Sequence, residues 1–330
     1  MPARETFPGR RRFLAGSAAL AAAAFAGWKA QRPPALIAIT LDLEMSREYP
    51  QRGMLEWDYE KGNLDAATKQ YAAEAGRVAK ELGGQIHYFC VGRVLEQPDV
   101  EWLKKLHADG HPVGNHTYDH VYLLASTPEE IQFRFRRAPW LIAGRSVPEV
   151  IEENIRITSA AMQARLGFGP DGFRTPGGFA NGLAGRPDLQ KMLLAQGFPW
   201  VSSKYPAHPM GKPKEQPGAD VLRGIIEAQQ AAQPFRYDTG LIEIPMSPVS
   251  DVNAFRSNYW KLDWFLDAVG RAVDWAIETG GVFDFLAHPS CLVVEDPEFQ
   301  TIKRICRKVA DAGDRARIVG LSTVAERAAG

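Results

Sequence analysis

Strand-like and helix-like segments alternate along this chain from residue 35 to its end, and this alternation limits the folds that the chain can adopt. Residues 35–41 form a continuous apolar run, which is typical of a parallel strand buried on both faces. A helical pattern over residues 66–82 and a strand-like pattern over residues 85–91 follow. Strands separated by helices usually pair in parallel, so the sequence predicts an α/β fold with a parallel sheet.

The same patterns predict the remaining elements. Further strands are predicted over residues 200–203, 241–244 and 282–287, with a last strand beginning at residue 318. Further helices are predicted over residues 99–109, 148–166, 187–197, 219–232, 260–279 and 297–312, with a capped helix start at Thr127. The connections are predicted to be a long loop over residues 45–64, a tight glycine-rich loop over residues 169–182, and an insertion or lid over residues 204–239.

Composition excludes several classes of protein. The chain has 330 residues, 45% of them hydrophobic, which is enough for one large core or two small ones. The chain has 39 basic residues (lysine plus arginine) and 39 acidic residues (aspartate plus glutamate). It therefore carries no net charge of the kind that would indicate binding to nucleic acid or to a membrane surface. Neither a dinucleotide-binding glycine motif nor a phosphate-binding loop is present. We find no internal repeat and no second domain in the pattern.

The first 26 residues differ from the rest and predict an export signal. Arg10-Arg11-Arg12-Phe13-Leu14 precedes an alanine-rich apolar run, and Ala24-Phe25-Ala26 offers a small-x-small cleavage site. The paired arginines are typical of a signal read by the twin-arginine export machinery. The apolar run, of roughly 14 residues, is too short for a comfortable membrane span.

We therefore expect a signal over residues 1–26, a linker over residues 27–34 and one domain over residues 35–330. The mature protein would be periplasmic, bound to the cell wall or extracellular, with no stable membrane span after cleavage. Retention of the signal as an anchor and an ordinary N-terminal helix remain the alternatives.

Two histidines four residues apart, His116 and His120, are the first candidate metal ligands. On a helical turn both imidazoles would point the same way. Two neutral imidazoles on one face are the usual start of a divalent metal site. A histidine pair at this spacing is also common on a polar helix face, so the pair alone does not decide between the two interpretations.

Other polar residues follow the predicted strands. Asp42 and Glu44 end the apolar run at residues 35–41, and at a spacing of two they share one face of the strand. A carboxylate in that position is costly unless it is paired. Arg174 stands in Phe173-Arg174-Thr175-Pro176-Gly177, and His288 closes another strand in Leu286-Ala287-His288.

This ordered set of an acid pair, His-x-x-x-His, Arg-x-Pro and Leu-x-His resembles the motifs of the NodB-type polysaccharide deacetylases, carbohydrate esterase family 4. The resemblance spans about residues 36–325. It implies a distorted (β/α) barrel with about seven parallel strands, as a single catalytic domain. In such barrels the chemistry lies at the carboxyl ends of the strands, where the motif residues fall.

The resemblance also implies a role for each motif residue. Asp42 would be the general base, and Glu44, His116 and His120 would bind one divalent metal. Arg174 would hold the Asp42 carboxylate by a bidentate pair, and His288 would be the general acid toward the leaving nitrogen. Zinc is the default ion for two histidines and a carboxylate, with cobalt, nickel and manganese as alternatives.

The chain departs from the family pattern at two points. Leu43 separates the two acids, which resembles an Asp-x-Asp/Glu variant, and Glu44 is longer than the aspartate that is more usual at the metal position. Ser202 and Ser203 lie where relatives often carry an aspartate-containing motif, which leaves the tuning of His288 open.

The function implied is metal-dependent hydrolysis of a carbon–nitrogen amide bond that removes N-acetyl groups from a polysaccharide. One alternative is an allantoinase-like hydrolase of a small cyclic amide or imide, which the variant subgroup also includes. A predicted export signal argues against it, because such metabolites are mostly handled inside the cell. The other alternative is a carbohydrate-binding protein with an inactive site, which the retained set of motif residues argues against.

Overall fold

The computed structural model describes residue 1, residues 32–45 and residues 61–330. The chain divides into a unit of residues 1–33 and a unit of residues 34–330, and the second contains every element described below. The predicted export signal and most of the loop predicted over residues 45–64 lie outside the described residues.

One mostly parallel sheet forms the centre of the second unit. Its described strands are β1 (Ala35–Leu43), β2 (His87–Cys90), β3 (Val113–Asn115), β4 (Phe173–Phe179), β5 (Trp200–Lys204), β6 (Phe235–Arg236), β7 (Ile242–Glu243), β8 (Val282–Ala287) and β9 (Ala316–Ile318). They are arranged in the order β6-β7-β5-β4-β3-β2-β1-β8, and β9 also pairs with β1. All described pairs are parallel except that of β6 with β7.

The segment that follows β7 links the two sides of this sheet. The backbone N–H of Met246 donates to the carbonyl of Lys204 in β5, and the N–H of Ser247 donates to that of Asp284 in β8, at 2.9 and 2.8 Å. The sheet therefore curls into the distorted (β/α) barrel that was predicted. Among the described residues it has eight parallel strands rather than about seven, because the short β9 joins beside β1.

Helices cover the outside of the sheet. Those described are α1 (Ala66–Glu81), α2 (Glu101–Ala108), α3 (Pro128–Ile131), α4 (Phe133–Arg137), α5 (Val147–Leu166), α6 (Pro187–Ala195), α7 (Ala219–Ala231), α8 (Leu262–Thr279), α9 (Pro289–Glu295), α10 (Gln300–Ala312) and α11 (Leu321–Ala329). Short 3₁₀ turns lie at Gly92–Glu96, Pro139–Ile142 and Gly313–Arg315, and a π-helical turn lies at Val252–Ser257. None of the described helices is long and apolar enough to cross a membrane.

Local capping explains where several helices begin and end. The predicted capping box at the start of α3 is confirmed, since Thr127 and Glu130 cap each other's backbone N–H groups. Ser146 and Glu149 form a second box at the start of α5, and Gly167 ends α5 in the left-handed conformation with φ of 86°. The patterns missed α9 and α11, which are short.

Strand β1 separates the apolar core from the polar interior of the barrel. Its odd-numbered residues from Ala35 to Leu43 belong to the main apolar cluster beneath the outer helices. Leu36 and Ala38 belong to a second cluster on the opposite face. Because side chains alternate along a strand, Thr40 and Asp42 continue that second face toward the carboxyl end.

The prediction of a glycine-rich loop over residues 169–182 was wrong for its central part, which forms β4. Phe173 and Arg174 pair with β5, and the register then shifts before Phe179. The glycines lie within that irregular stretch. A side chain at Gly178 would place its Cβ 2.3 Å from that of Tyr205, so glycine permits the close approach to the chain after β5.

Candidate metal and active site

Strand β1 places both predicted acids at the carboxyl end of the barrel. Asp42 is the last residue but one of β1, and Glu44 follows the strand directly. Their side chains lie on the same face and are buried, with 6% and 3% of their side-chain surface exposed. Burial of two carboxylates is costly without partners, so their contacts define the site.

His116 and His120 lie on a loop after β3, so the prediction that a helical turn presents them was wrong. Thr117 and His120 both have left-handed backbone conformations, with φ of 59° and 60°. Such a conformation is rare for a β-branched residue. It is held here because Asn115 Oδ1 accepts from the Thr117 N–H at 2.8 Å and Thr117 Oγ1 accepts from the Val121 N–H at 3.0 Å.

The loop brings the two imidazoles to one oxygen of Glu44. Oε2 of Glu44 lies 2.6 Å from Nε2 of His120 and 3.3 Å from Nε2 of His116. One ligand atom from each of the three residues can be chosen so that all lie within 4.8 Å of one another. Two imidazole nitrogens and a carboxylate oxygen at this spacing form a donor set suited to a divalent transition metal.

The hydrogen bonding of His116 favours the tautomer that a metal requires. Its Nδ1 lies 2.9 Å from the backbone carbonyl of Arg174, so Nδ1 carries the proton and donates it. Nε2 then has its lone pair directed toward Glu44. A backbone carbonyl that fixes the far nitrogen of a histidine is the usual support of a metal-ligating imidazole.

The charges of the buried cluster also favour a bound cation. The cationic side chains of Arg174 and Lys61 contact the cluster. The buried carboxylates connected by these contacts and by His288 are Asp42, Glu44, Asp251 and Asp284. With His116 and His120 neutral and His288 protonated, three positive and four negative charges leave 3 − 4 = −1, an excess of negative charge that a bound cation would offset.

Arg174 forms ion pairs with two carboxylates instead of a bidentate pair with one. Nη1 donates to Asp42 Oδ1 at 3.0 Å and to the Thr40 hydroxyl at 2.7 Å, whereas Nη2 donates to Asp284 Oδ2 at 2.5 Å. The predicted bidentate pair with Asp42 is therefore replaced by a bridge between β1 and β8. Burial acts to lower the pKa of the fully buried guanidinium, but Asp284 and Asp42 outweigh it and raise the pKa.

His288 is held by Asp251, a contact that the sequence did not predict. Nδ1 of His288 donates to Asp251 Oδ1 at 2.9 Å, and Nε2 lies 3.3 Å from Glu44 Oε1. Burial acts to lower the pKa of His288, but both carboxylates outweigh it and raise the pKa well above its usual value. Asp251 thus provides a carboxylate partner for His288, which Ser202 and Ser203 cannot provide.

Those two serines have other partners. Ser202 Oγ accepts from the Arg174 guanidinium at 3.2 Å and lies 3.4 Å from Asp284 Oδ2. Ser203 Oγ donates to Glu243 Oε2 at 2.5 Å. Ser202 therefore supports the arginine bridge, and neither serine contacts His288 among the described hydrogen bonds.

Lys61 is the second residue that sequence reasoning missed. Its side chain is fully buried, and Nζ lies 2.7 Å from Glu44 Oε1. Burial acts to raise the pKa of Glu44, but the Lys61 ammonium and the two histidines outweigh it, so the pKa lies well below its usual value. The residue stands 17 positions after Glu44 along the chain, where no local pattern indicates the contact.

A pocket with a volume of about 180 Å³ opens onto this cluster. The two acids of β1, the two loop histidines and His288 all contribute to its lining. Apolar walls come from Met246, Val252 and Leu286, and Tyr205 and Asn253 add polar groups. Of the predicted site residues, Arg174 alone is absent from the lining, because it lies beneath Asp42.

Comparison with known proteins gives a match to one family over part of the chain and a shared fold. The profile of the polysaccharide deacetylase family matches residues 59–192, which include the two histidines and Arg174. A search of curated proteins gave no match.

Three solved structures share the fold across most of the chain. Two are assigned as polysaccharide deacetylases. The Mycobacterium smegmatis structure is 15% identical, with 91% of each chain covered and a TM-score of 0.56. That from Pseudomonas aeruginosa PAO1 is 14% identical, with 88% of this chain and 89% of that chain covered and a TM-score of 0.55. The third, Puue allantoinase, is 12% identical, with 91% and 94% covered and a TM-score of 0.57.

Proposed function

We propose that this chain, whose residues 59–192 match the polysaccharide deacetylase family, removes N-acetyl groups from an extracellular or cell-wall polysaccharide by metal-dependent hydrolysis. Its class, a hydrolase of carbon–nitrogen bonds in N-acetyl groups, follows from the family. One observation supports the rest of the proposal. The three metal-ligand candidates, Asp42 and His288 line one small pocket at the carboxyl end of the barrel.

Glu44, His116 and His120 would hold the metal. Their clustered donor atoms, the tautomer of His116 and the excess negative charge of the cluster all support a bound metal ion. Zinc is the ion expected first, with cobalt, nickel and manganese as alternatives. When bound, the ion supplies Lewis acidity at the acetyl carbonyl.

Asp42 is the proposed base. Arg174 occupies its Oδ1, and Oδ2 lies 3.8 Å from Nε2 of His116, beside the metal-ligand cluster. A water attacking the acetyl carbonyl can therefore give its proton to Oδ2. The fixed guanidinium keeps the Asp42 carboxylate oriented for that transfer.

His288 is the proposed acid. Because Asp251 accepts the proton of Nδ1, Nε2 is the nitrogen that faces the pocket and can protonate the departing amine. Base and acid then act on the two ends of the amide bond that breaks, which yields acetate and a free amino sugar.

The volume of the pocket also supports an N-acetyl group as the reacting group. About 180 Å³ lined by Met246 and Leu286 accommodates an acetamido group, whereas a polymer must lie across its mouth. A polymer of that kind is met outside the cytoplasmic membrane, which agrees with the paired arginines at Arg10 and Arg11. The likeness to an allantoinase concerns the fold, and no feature of this site favours a cyclic amide.

The test is acetate release by the zinc-loaded protein without residues 1–26. Peptidoglycan and chitin oligomers are the substrates, and a panel of cyclic imides is the comparison. We expect acetate from a polymer and no ring opening, with Asp42→Asn as the inactive control. Ring opening of an imide without acetate release would contradict the proposal.

A further inference from the structure

The carboxylate of Glu44 is shared between two kinds of partner. Oε2 contacts the two histidine nitrogens, and Oε1 contacts the Lys61 ammonium at 2.7 Å. A buried ammonium requires a counter-ion, and Glu44 provides it here. Lys61 therefore neutralises one of the three groups that would hold the metal.

The backbone fixes Lys61 beside Glu44 through residues that are themselves well anchored. The Gly62 N–H donates to the Glu44 carbonyl at 2.7 Å. Gly62 has φ of 87°, and a side chain there would place its Cβ 2.4 Å from that of Arg93. Gln97 Nε2 donates to the carbonyls of Gly62 and Leu64 at 3.4 and 3.2 Å. These contacts hold the Lys61 ammonium beside Glu44.

We propose that Lys61 is a built-in cation that competes with the metal for the charge of Glu44. This inference rests on the proposed function. When no metal is bound, the Lys61 ammonium balances the charge of Glu44 and holds its carboxylate in position, so the site is preformed. It also repels a divalent ion held by the same carboxylate. The ion consequently binds more weakly, exchanges more readily and keeps more of its Lewis acidity than it would beside an unshared glutamate.

Lys61→Met tests the competition, because methionine fills a similar apolar volume without the charge. Removing the positive charge should lower the Kd for zinc by about tenfold or more, since a unit charge acts on a divalent ion through a buried carboxylate. Competition with a chromophoric chelator measures that Kd. Lys308→Met is the matched control, because Lys308 pairs with Asp274 on the surface, at 2.7 Å. Its Kd for zinc should equal that of the parent.

Thermal unfolding of the metal-free and zinc-loaded proteins gives a second readout. By linkage, tighter zinc binding requires that zinc raise the melting temperature of Lys61→Met by more than that of the parent at the same free zinc concentration. Lys61→Gln is the second variant and should show the same tightening if Lys61→Met does not fold without metal.

An unchanged or higher Kd in a folded Lys61 variant would overturn the inference, because Lys61 would then be neutral toward the metal or would help to hold it. If the parent binds no zinc but the variants do, the competition is upheld while metal dependence of the parent is contradicted. If neither binds zinc, cobalt, nickel or manganese, both the inference and the proposed function fail.

Discussion

Asp251 accepts two hydrogen bonds from His288, one from the backbone N–H at 2.7 Å and one from ring Nδ1 at 2.9 Å. The two residues are 37 positions apart, yet the pair fixes both the backbone and the ring of the proposed acid. Asp251 also accepts from the N–H of Val252 at 2.8 Å, at the start of the π-helical turn. The carboxylate is therefore an orienting group for His288 and a local cap.

Asp251→Asn should lower kcat by about 10- to 100-fold without loss of zinc. The amide cannot accept from Nδ1 and from the backbone as two carboxylate oxygens do, so the ring loses its fixed orientation and the charge that favours its protonated form. Steady-state acetate release and elemental analysis measure the two effects. Asp296→Asn is the control. Asp296 is a buried cap of α10, so its substitution should lower the stability of the fold and leave kcat unchanged. Equal kcat in Asp251→Asn and the parent would contradict the role.

Asp42→Asn should keep zinc and lose about 10²- to 10⁴-fold in kcat, because asparagine has the same shape but cannot accept a proton. Glu44→Gln should instead lose zinc. Both variants are measured by elemental analysis after identical loading. If Asp42→Asn loses zinc and Glu44→Gln retains it, the two acids have exchanged roles in this chain.

Arg174→Met should destabilise the fold by about 3–5 kcal/mol, because it leaves Asp42 and Asp284 buried without a counter-charge. Denaturant unfolding measures the loss. Arg271→Met is the matched control. Its partner Asp267 lies 2.9 Å away on the exposed face of α8, and the change should cost less than about 1 kcal/mol. Adding Asp284→Asn to Arg174→Met should restore part of the loss, and no restoration would contradict the bridge.

The sequence predicted elements with strong periodicity but not the irregular ones. The alternation gave the parallel sheet, and β8 begins and ends at the predicted residues, Val282 and Ala287. Strand β4 was missed because Gly177 and Gly178 suggested a loop, whereas pairing with β5 tolerates a bulge there. Tertiary pairing overrode the local preference of glycine.

Motif spacing indicated which residues meet but not how they are held. His116 and His120 do converge, yet two left-handed residues bring them together instead of a helix. Asp284 could have been recognised, since a lone acid in an apolar strand requires a buried partner. Lys61 gave no such signal, because its partner is known only once the chain has folded back on Glu44.

Changing Arg10 and Arg11 to lysine should leave a full-length precursor in the cytoplasm, because the export machinery reads paired arginines. Cell fractionation and immunoblotting of the parent and the variant measure this. Equal export of both proteins would contradict the twin-arginine prediction. A parent that stays in the cytoplasm would favour the cyclic-amide hydrolase.

The central claim is that a metal held by Glu44, His116 and His120 is required for hydrolysis of the N-acetyl amide. His116→Ala removes one ligand and leaves Asp42, Arg174 and His288 unchanged. The decisive measurement is zinc content by elemental analysis, on the same samples that are assayed for acetate release. We predict one zinc per chain and acetate release for the parent, and neither for His116→Ala. Full zinc occupancy in His116→Ala, or acetate release by a metal-free parent, would contradict the claim.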